Sequence, residues 1–580
     1  MSDIAPELRR QVEAWIAEDP DPTTREELQA LLDAGDAAEL ADRFRGPLRF
    51  GTAGLRGLLG GGPNRMNRVV VLRATAGLCA YLKAHVTNAA ERGVCIGFDG
   101  RRMSRQLATD VAEVVTGMGL KARVYDTLTP TPLVAFSVLD QGAAAGVVVT
   151  ASHNPPDYNG YKVYWGNGAQ IVPPHDAGIA AAIDAVGPVA EIPRMPRAEA
   201  EAAGRIVALG EADERAYLAG VKGLALHPET PRELRIAYTA MHGVGGRFVH
   251  QALADQGFSR VFGVPEQAEP DGAFPTVAFP NPEEDGAMDL VLALAEKEGA
   301  DLVLANDPDA DRLAVSIRHG GAYVALSGNE IGCLLAHYLL EEGPQGPNRL
   351  VVESVVSSPM LLAIGAAHGA RGEQTLTGHK WIQNRGLELE AREGLCFVFG
   401  YEEALGYAVG ALVRDKDGIS AAVLMADLAA WCASEGRTVI DELERAWRRY
   451  GMYLSEQVSV VLPGADGAAK IAAIMAGLRR EPPGSLGGLA VEAVQDFEAG
   501  TRKSAAGEET PLAFPASNVL VYELAGGHRA MVRPSGTEPK VKSYFDVRVE
   551  LGEGEPVAEG RARGQALLEG IVGDLRARLG

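Results

Sequence analysis

Along its first two hundred residues the chain alternates short β-branched runs with longer amphipathic stretches. Residues 94–98, 122–125 and 146–149 read as buried strands. Residues 67–84 and 105–117 read as helices, with Ser104 placed to cap the second. Such alternation implies βαβ units on a mixed or parallel sheet. A Pro- and Glu-rich stretch, 191–204, reads as a connection, and the pattern then restarts. Strand 234–239, helices 247–255 and 288–297 and strand 302–305 form a second cycle. Helix 329–341, strand 350–353 and helix 359–367 form a third, closed by a long helix at 419–434. After residue 452 the character changes, with strand-like runs 455–462, 519–524 and 541–549 between helices 468–478 and 556–579. The expected fold is therefore α/β in three similar mixed-sheet domains, 1–208, 209–324 and 325–452, followed by an α+β domain, 453–580.

Length agrees with this division. A chain of 580 residues is too long for one hydrophobic core, since single cores stop growing beyond about 250–300 residues. Net charge is −22, which leaves no basic surface for a nucleic-acid backbone and does not favour acidic membranes. An anionic substrate must therefore be drawn in by a local group of Arg, Lys or metal. The five cysteines are scattered, odd in number and lack CxxC spacing, which argues against a disulfide framework and a zinc site and fits a reducing cytoplasm. The N-terminus lacks a signal-peptide apolar core. The most apolar stretch, 142–151, is about half of a membrane span.

Four loops carry chemistry. Thr150 to Lys162 (TASHNPPDYNGYK) follows a strand, at the end where ligands bind in α/β sheets. There Ser152 stands beside His153 on a turn stiffened by Pro155 and Pro156, a rigid exposed serine suited to carry a phosphoryl group. A polar turn with a capping serine is the plainer alternative. Asn306 to Arg312 (NDPDADR) sets Asp307, Asp309 and Asp311 at alternate positions, which in an extended segment point one way and call for a hard cation. The EF-hand reading fails because Arg312 and Arg318 stand where Gly and Glu are required. In the third loop, Glu402 and Glu403 sit between glycines at a strand end and suit a sugar's vicinal hydroxyls. Downstream of it, Arg414 and Lys416 precede a helix whose N-terminus favours an anion. The fourth, RPSGTEPK, gathers Arg533, Ser535, Gly536 and Thr537 as a phosphate nest. Walker A, dinucleotide and nucleophile-elbow signatures are absent.

In this order, with the early GTAGLRG, the loops resemble those of the α-D-phosphohexomutase superfamily. The resemblance is closest to its phosphoglucomutase-2/phosphopentomutase branch, through RFGTAGLRG, NGYKVYWGNGAQI, PNPEE, LTGHKW and DKDGISAA. It implies four domains around a central cleft, the last TATA-binding-protein-like. It implies a phosphoserine at Ser152, which with Asp307, Asp309 and Asp311 would ligate Mg²⁺. Arg56 and Arg312 would contact the transferring phosphate, and His153, Lys162 and Lys416 would assist the chemistry. Thr377, Gly378, His379, Glu402 and Glu403 would hold the sugar, and Arg533, Ser535, Gly536 and Thr537 the idle phosphate.

The expected activity is interconversion of a sugar 1-phosphate and 6-phosphate through a bound 1,6-bisphosphate. Glucose is the first candidate sugar and mannose or a pentose the alternatives, because Ala404 replaces a serine common in glucose- and mannose-specific members. A metal-dependent sugar phosphatase is a remote alternative. The expected state is a cytoplasmic monomer acting on small sugar phosphates, without nucleic acid or membrane.

Overall fold

The computed structural model describes residues 4–49, 54–462, 467–535 and 540–579. It divides into two compact units, Met1–Leu326 with Gly406–Trp431, and Ser327–Leu405 with Cys432–Gly580.

The first unit holds two sheets. One has six strands in the order Leu55–Leu58, Tyr158–Trp165, Ala145–Val149, Val94–Phe98, Ala122–Tyr125 and Ile206–Leu209. The first two pairings are antiparallel and the rest parallel. Val94–Phe98 and Ala145–Val149 are buried at every position, as continuous apolar strands are when helices cover both faces of a sheet. Helices Arg68–His85, Ser104–Gly117 and Thr131–Asp140 pack on it. The second sheet runs Ala322–Leu326, Ala314–His319, Leu302–Ala305, Ile236–Thr239 and Val261–Gly263, with helices Gly246–Asp255 and Asp289–Glu298. Ahead of both lie three helices, Pro6–Glu18, Pro22–Ala34 and Ala37–Arg43, closed on a small core of Val12, Leu28, Leu32 and Leu40.

The second unit begins with parallel strands in the order Arg371–Thr375, Arg349–Ser354 and Cys396–Glu402. Helices Gly328–Glu341, Met360–Ala367, His379–Glu393 and Val439–Tyr450 accompany them. The remainder is an antiparallel sheet in the order Met452–Val461, Lys540–Val549, His528–Pro534, Leu520–Leu524, Leu489–Asp496, Thr501–Ser504 and Glu509–Pro511. Helix Val557–Leu579 packs on its first two strands.

Three local expectations change. Ser104 is the first helical residue and not the cap; its hydroxyl donates instead to Asp99 at 2.7 Å. Asn67 lies outside the helix and caps it, accepting from Val70 N. The connection 191–204 contains a short helix, Arg197–Ala202. Among the described residues no single helix is long and apolar enough to cross a membrane.

Candidate active site

Strand Ala145–Val149 delivers the chain into the serine loop. Thr150 Oγ1 accepts from Ser152 N at 2.9 Å, and Ser152 takes a left-handed φ of 52°. A non-glycine residue holds that conformation only when its surroundings impose it. Here Arg101 imposes it. Its buried guanidinium donates to the carbonyls of Ser152 and Asn154 at 2.5 Å each, Pro155 at 2.9 Å and Tyr158 at 3.3 Å. The serine is not exposed, as the sequence suggested, but 3% accessible, because the clamp draws the turn inward. Its Oγ donates to Asp307 Oδ2 at 3.0 Å and lies 3.2 Å from His153 Nδ1. Burial, then the charges of Arg312 and Arg56, hold the His153 imidazole well below its usual value.

The aspartates follow strand Leu302–Ala305. They converge through a turn and not through strand alternation: Pro308 and Asp309 form the bend and Ala310 is left-handed at φ 58°. All three are buried and each offers an oxygen within 4.8 Å of the others. Thr131 braces the turn, its hydroxyl 2.6 Å from Asp309 Oδ2 and its amide 3.0 Å from Asp309 O. Two glycines allow the loop its neighbours. A Cβ on Gly418 would collide with the carbonyl of Arg312, and one on Gly243 with Pro308.

Charge in this loop is balanced from within the unit. Lys162 Nζ, on strand Tyr158–Trp165, lies 2.7 Å from Asp309 Oδ2 and 2.8 Å from Asp311 Oδ2, and Lys416 Nζ lies 3.3 Å from Asp311 Oδ2. Burial works to lower the Lys162 ammonium, but Asp309 and Asp311 outweigh it and hold it above its usual value. Burial likewise works to raise Asp311, and Lys162, Lys416 and Arg312 hold it low instead. For Asp307, burial and its two neighbouring carboxylates outweigh Arg312 and raise it. Oδ1 of Asp309 and Oδ1 of Asp311 are buried without a hydrogen-bond partner among the described residues. Orphaned carboxylate oxygens in a three-aspartate set are what a hard divalent cation ligates, so the residues fit Mg²⁺.

Arg56 sits on the short edge strand Leu55–Leu58 and donates to Asn154 Oδ1 at 2.8 Å. Burial brings its guanidinium down to about 10, so it remains charged at neutral pH. Arg312 donates its amide to Asp307 Oδ1 at 3.0 Å, and its side chain lies 3.4 Å from Glu283. Asp415 stands 3.5 Å from Lys416 Nζ and is itself held by Tyr164 at 2.5 Å and Gln170 at 2.7 Å. Arg414 donates to Asn167 O at 2.7 Å. The first amides of helix Gly418–Ser434 are not open to an external anion: Asp417 accepts from Ile419 N at 3.0 Å and Ser420 N at 3.1 Å.

In the second unit the paired glutamates have separate attachments. Glu402 Oε1 accepts from Gly378 N at 2.7 Å, with His379 Nδ1 3.8 Å from Oε2. Glu403 Oε2 accepts from Ser354 and Ser357 at 3.2 and 3.3 Å. Thr377 Oγ1 is buried without a partner among the described residues. Arg533 Nη2 donates to Tyr544 OH at 2.8 Å, and Ser535 N to Lys540 O at 2.8 Å. Gly536 and Thr537 lie outside the described residues, as do Gly51 to Ala53 of the early motif.

Family models described as phosphoglucomutase/phosphomannomutase alpha/beta/alpha domains I, II and III match residues 47–188, 215–320 and 327–450. The chain belongs to that family, within the α-D-phosphohexomutase superfamily. Phosphopentomutase from Homo sapiens is 35% identical to it, covering 95% of this chain and 93% of its own. Phosphoglucomutase from Staphylococcus epidermidis is 35% identical over 86% of this chain and 90% of its own. A solved phosphoglucomutase/phosphomannomutase family protein from Burkholderia thailandensis superposes with a TM-score of 0.65 at 19% identity, covering 90% and 95%, a likeness of fold. The chain is accordingly a phospho-sugar mutase, an isomerase, with three α/β domains and a sheet-rich C-terminal one.

Several residues that hold these loops have no local signature in the sequence. Arg101, Thr131 and Asp415 act through contacts spanning 51, 178 and 245 or more positions. Tyr544 lies within electrostatic reach of Arg533, Glu403 and Glu402, and burial pushes its phenol up to about 12.

Proposed function

We propose that this mutase exchanges a phosphoryl group between position 1 and the terminal hydroxymethyl of an aldose phosphate by way of Ser152. The observation that carries the reading is the 3.0 Å contact between Ser152 Oγ and Asp307 Oδ2 across 155 positions of chain. A phosphorylated Ser152 gives its phosphoryl to the substrate's free hydroxyl, whose proton passes to a neighbouring base. The resulting bisphosphate returns its other phosphoryl to Ser Oγ, and the released product oxygen takes a proton.

Phosphoryl transfer needs alignment and charge neutralisation more than covalent help. Arg56 and Arg312 supply fixed positive charge, and Lys162 and Lys416 hold protons at their Nζ atoms. Asp307, Asp309 and Asp311 would hold Mg²⁺, which when bound supplies Lewis-acid stabilisation of the phosphoryl oxygens. For Glu402, Glu403, Thr377, Gly378 and His379 the proposed role is sugar recognition, and for Arg533 and Ser535 phosphate recognition.

Glucose 1-phosphate is the proposed first substrate. Pentose 1-phosphates are a second reading, favoured by Ala404 and by the phosphopentomutase relative that matches nearly the full chain. Rates for hexose and pentose 1-phosphates, measured side by side with Mg²⁺, decide between them. Ser152→Ala should lose the stable phosphate seen by intact mass and lower kcat by at least 10³-fold, on the order of 4 kcal/mol, with an unchanged melting curve. A variant turning over at the wild-type rate would refute the serine's role.

A further inference from the structure

The second unit contains a polar cluster that the mutase reading does not use. His337 and Glu341 stand one turn apart on helix Gly328–Glu341, His368 follows helix Met360–Ala367, and Tyr450 ends helix Val439–Tyr450. One donor atom from each of His337, Glu341 and His368 lies within 4.8 Å of the others. The Tyr450 hydroxyl stands among them, 3.0 Å from His337 Nδ1 and 2.8 Å from His368 Nε2, and that Nε2 is 3.3 Å from Glu341 Oε2.

These spacings are close to those of a coordination sphere. Donors about 2.0–2.1 Å from a tetrahedral ion stand about 3.3 Å from one another. The orientation of His337 points the same way. Its Nε2 lies 3.0 Å from Glu442 Oε1, and a carboxylate there accepts, so Nε2 carries the hydrogen and Nδ1 turns its lone pair toward Tyr450. A histidine whose far nitrogen donates to a carboxylate is the arrangement that orients metal-binding imidazoles. Glu442 is fixed in turn by Arg445 at 3.0 Å and Arg437 at 3.1 Å. Burial also keeps the His368 imidazole below its usual value, against the pull of Glu341. Arg449 Nη1 shares Glu341 Oε2 at 2.8 Å and would moderate, without blocking, the donor strength of that carboxylate.

We propose that His337, Glu341 and His368, with the Tyr450 hydroxyl beside them, form a second metal site, selective for a zinc-class transition ion, that fastens helices of this unit together. Imidazole donors suit such ions, whereas the all-carboxylate trio suits Mg²⁺, so the two sites would not compete for one metal.

The test uses the full chain, stripped with chelator, held in excess Mg²⁺ and titrated with Co²⁺. One equivalent should develop the intense visible absorption of a four-coordinate ion, and Zn²⁺ should displace it. His368→Ala should abolish that absorption, and Glu341→Gln, at a partly exposed position, should reduce it while preserving the fold. Glu442→Gln should weaken Co²⁺ affinity about 10–100-fold, and Asp309→Asn should leave the spectrum intact. Only weak six-coordinate absorption, a spectrum indifferent to both His368→Ala and Glu341→Gln, or one lost in Asp309→Asn would overturn the proposal.

Discussion

Arg101 lies 51 positions before Ser152, and its guanidinium gathers four carbonyls of the serine loop. Lysine, with a single point of charge, cannot reproduce that fork. Arg101→Lys should lower kcat at least tenfold and cost about 3 kcal/mol of stability, since a buried charge network is broken; a variant with wild-type kcat and melting temperature would deny the clamp. At this scale the sequence was informative where chemistry is written into adjacent residues. Ser152 and the three aspartates could be named from their own motifs. The enclosure of Ser152 could not, because it is imposed by a residue with no motif of its own. The bend at Ala310 also escaped, since alternate aspartates read equally well as an extended strand.

Among the elements, the three N-terminal helices are tied to the glycine-rich turn after strand Leu55–Leu58. Glu27 Oε2 accepts from Gly61 N at 2.9 Å, and its other oxygen pairs with Arg43 at 2.7 Å. Glu27→Ala should destabilise the protein by about 1–3 kcal/mol, read by denaturant midpoint, and Glu27→Gln by less, because the Gly61 hydrogen bond survives; equal effects would deny that bond its part. The C-terminal sheet offers a pH-dependent counterpart. The bidentate hydrogen bond from Arg502, assisted by Gln495, outweighs burial and holds the Glu523 carboxyl below its usual value. A depressed carboxyl stabilises the fold above its unfolded pKa of about 4.5 and loses that contribution as pH falls through the folded value. Glu523→Gln should therefore cost about 1 kcal/mol at pH 7, with the difference from wild type closing as pH falls through the lowered value. A gap that persists in acid would exclude the charge as its source. Strands and helices with strong periodicity, such as Val94–Phe98 and Gly328–Glu341, were legible from pattern alone. The short strands Thr501–Ser504 and Glu509–Pro511 were not, because they are largely polar and gain order only from pairing along the sheet.

For the whole molecule, a net charge of −22 makes the collected cations near the aspartates informative. Lys162 already balances Asp309 and Asp311, so the fold should not depend on a divalent ion at that loop. Chelation should abolish turnover, Mg²⁺ should restore it, and the Asp309→Asn protein should show the same melting temperature with and without Mg²⁺. Unfolding of wild type on removal of Mg²⁺ alone would contradict this balance. The order of motifs along the chain made the family legible, but the preferred sugar was not, because a phosphopentomutase and a phosphoglucomutase match the chain at the same 35% identity.

The accessibility of Ser152, 3%, bears on how the proposed phosphoserine would first be formed. A protein kinase threads an extended peptide through its own groove, and a hydroxyl this deeply enclosed cannot be offered that way by the folded chain. The initial phosphoryl would have to arrive on a donor small enough to enter. Once installed, it would be sheltered from the general phosphatases around it and would persist through idle periods.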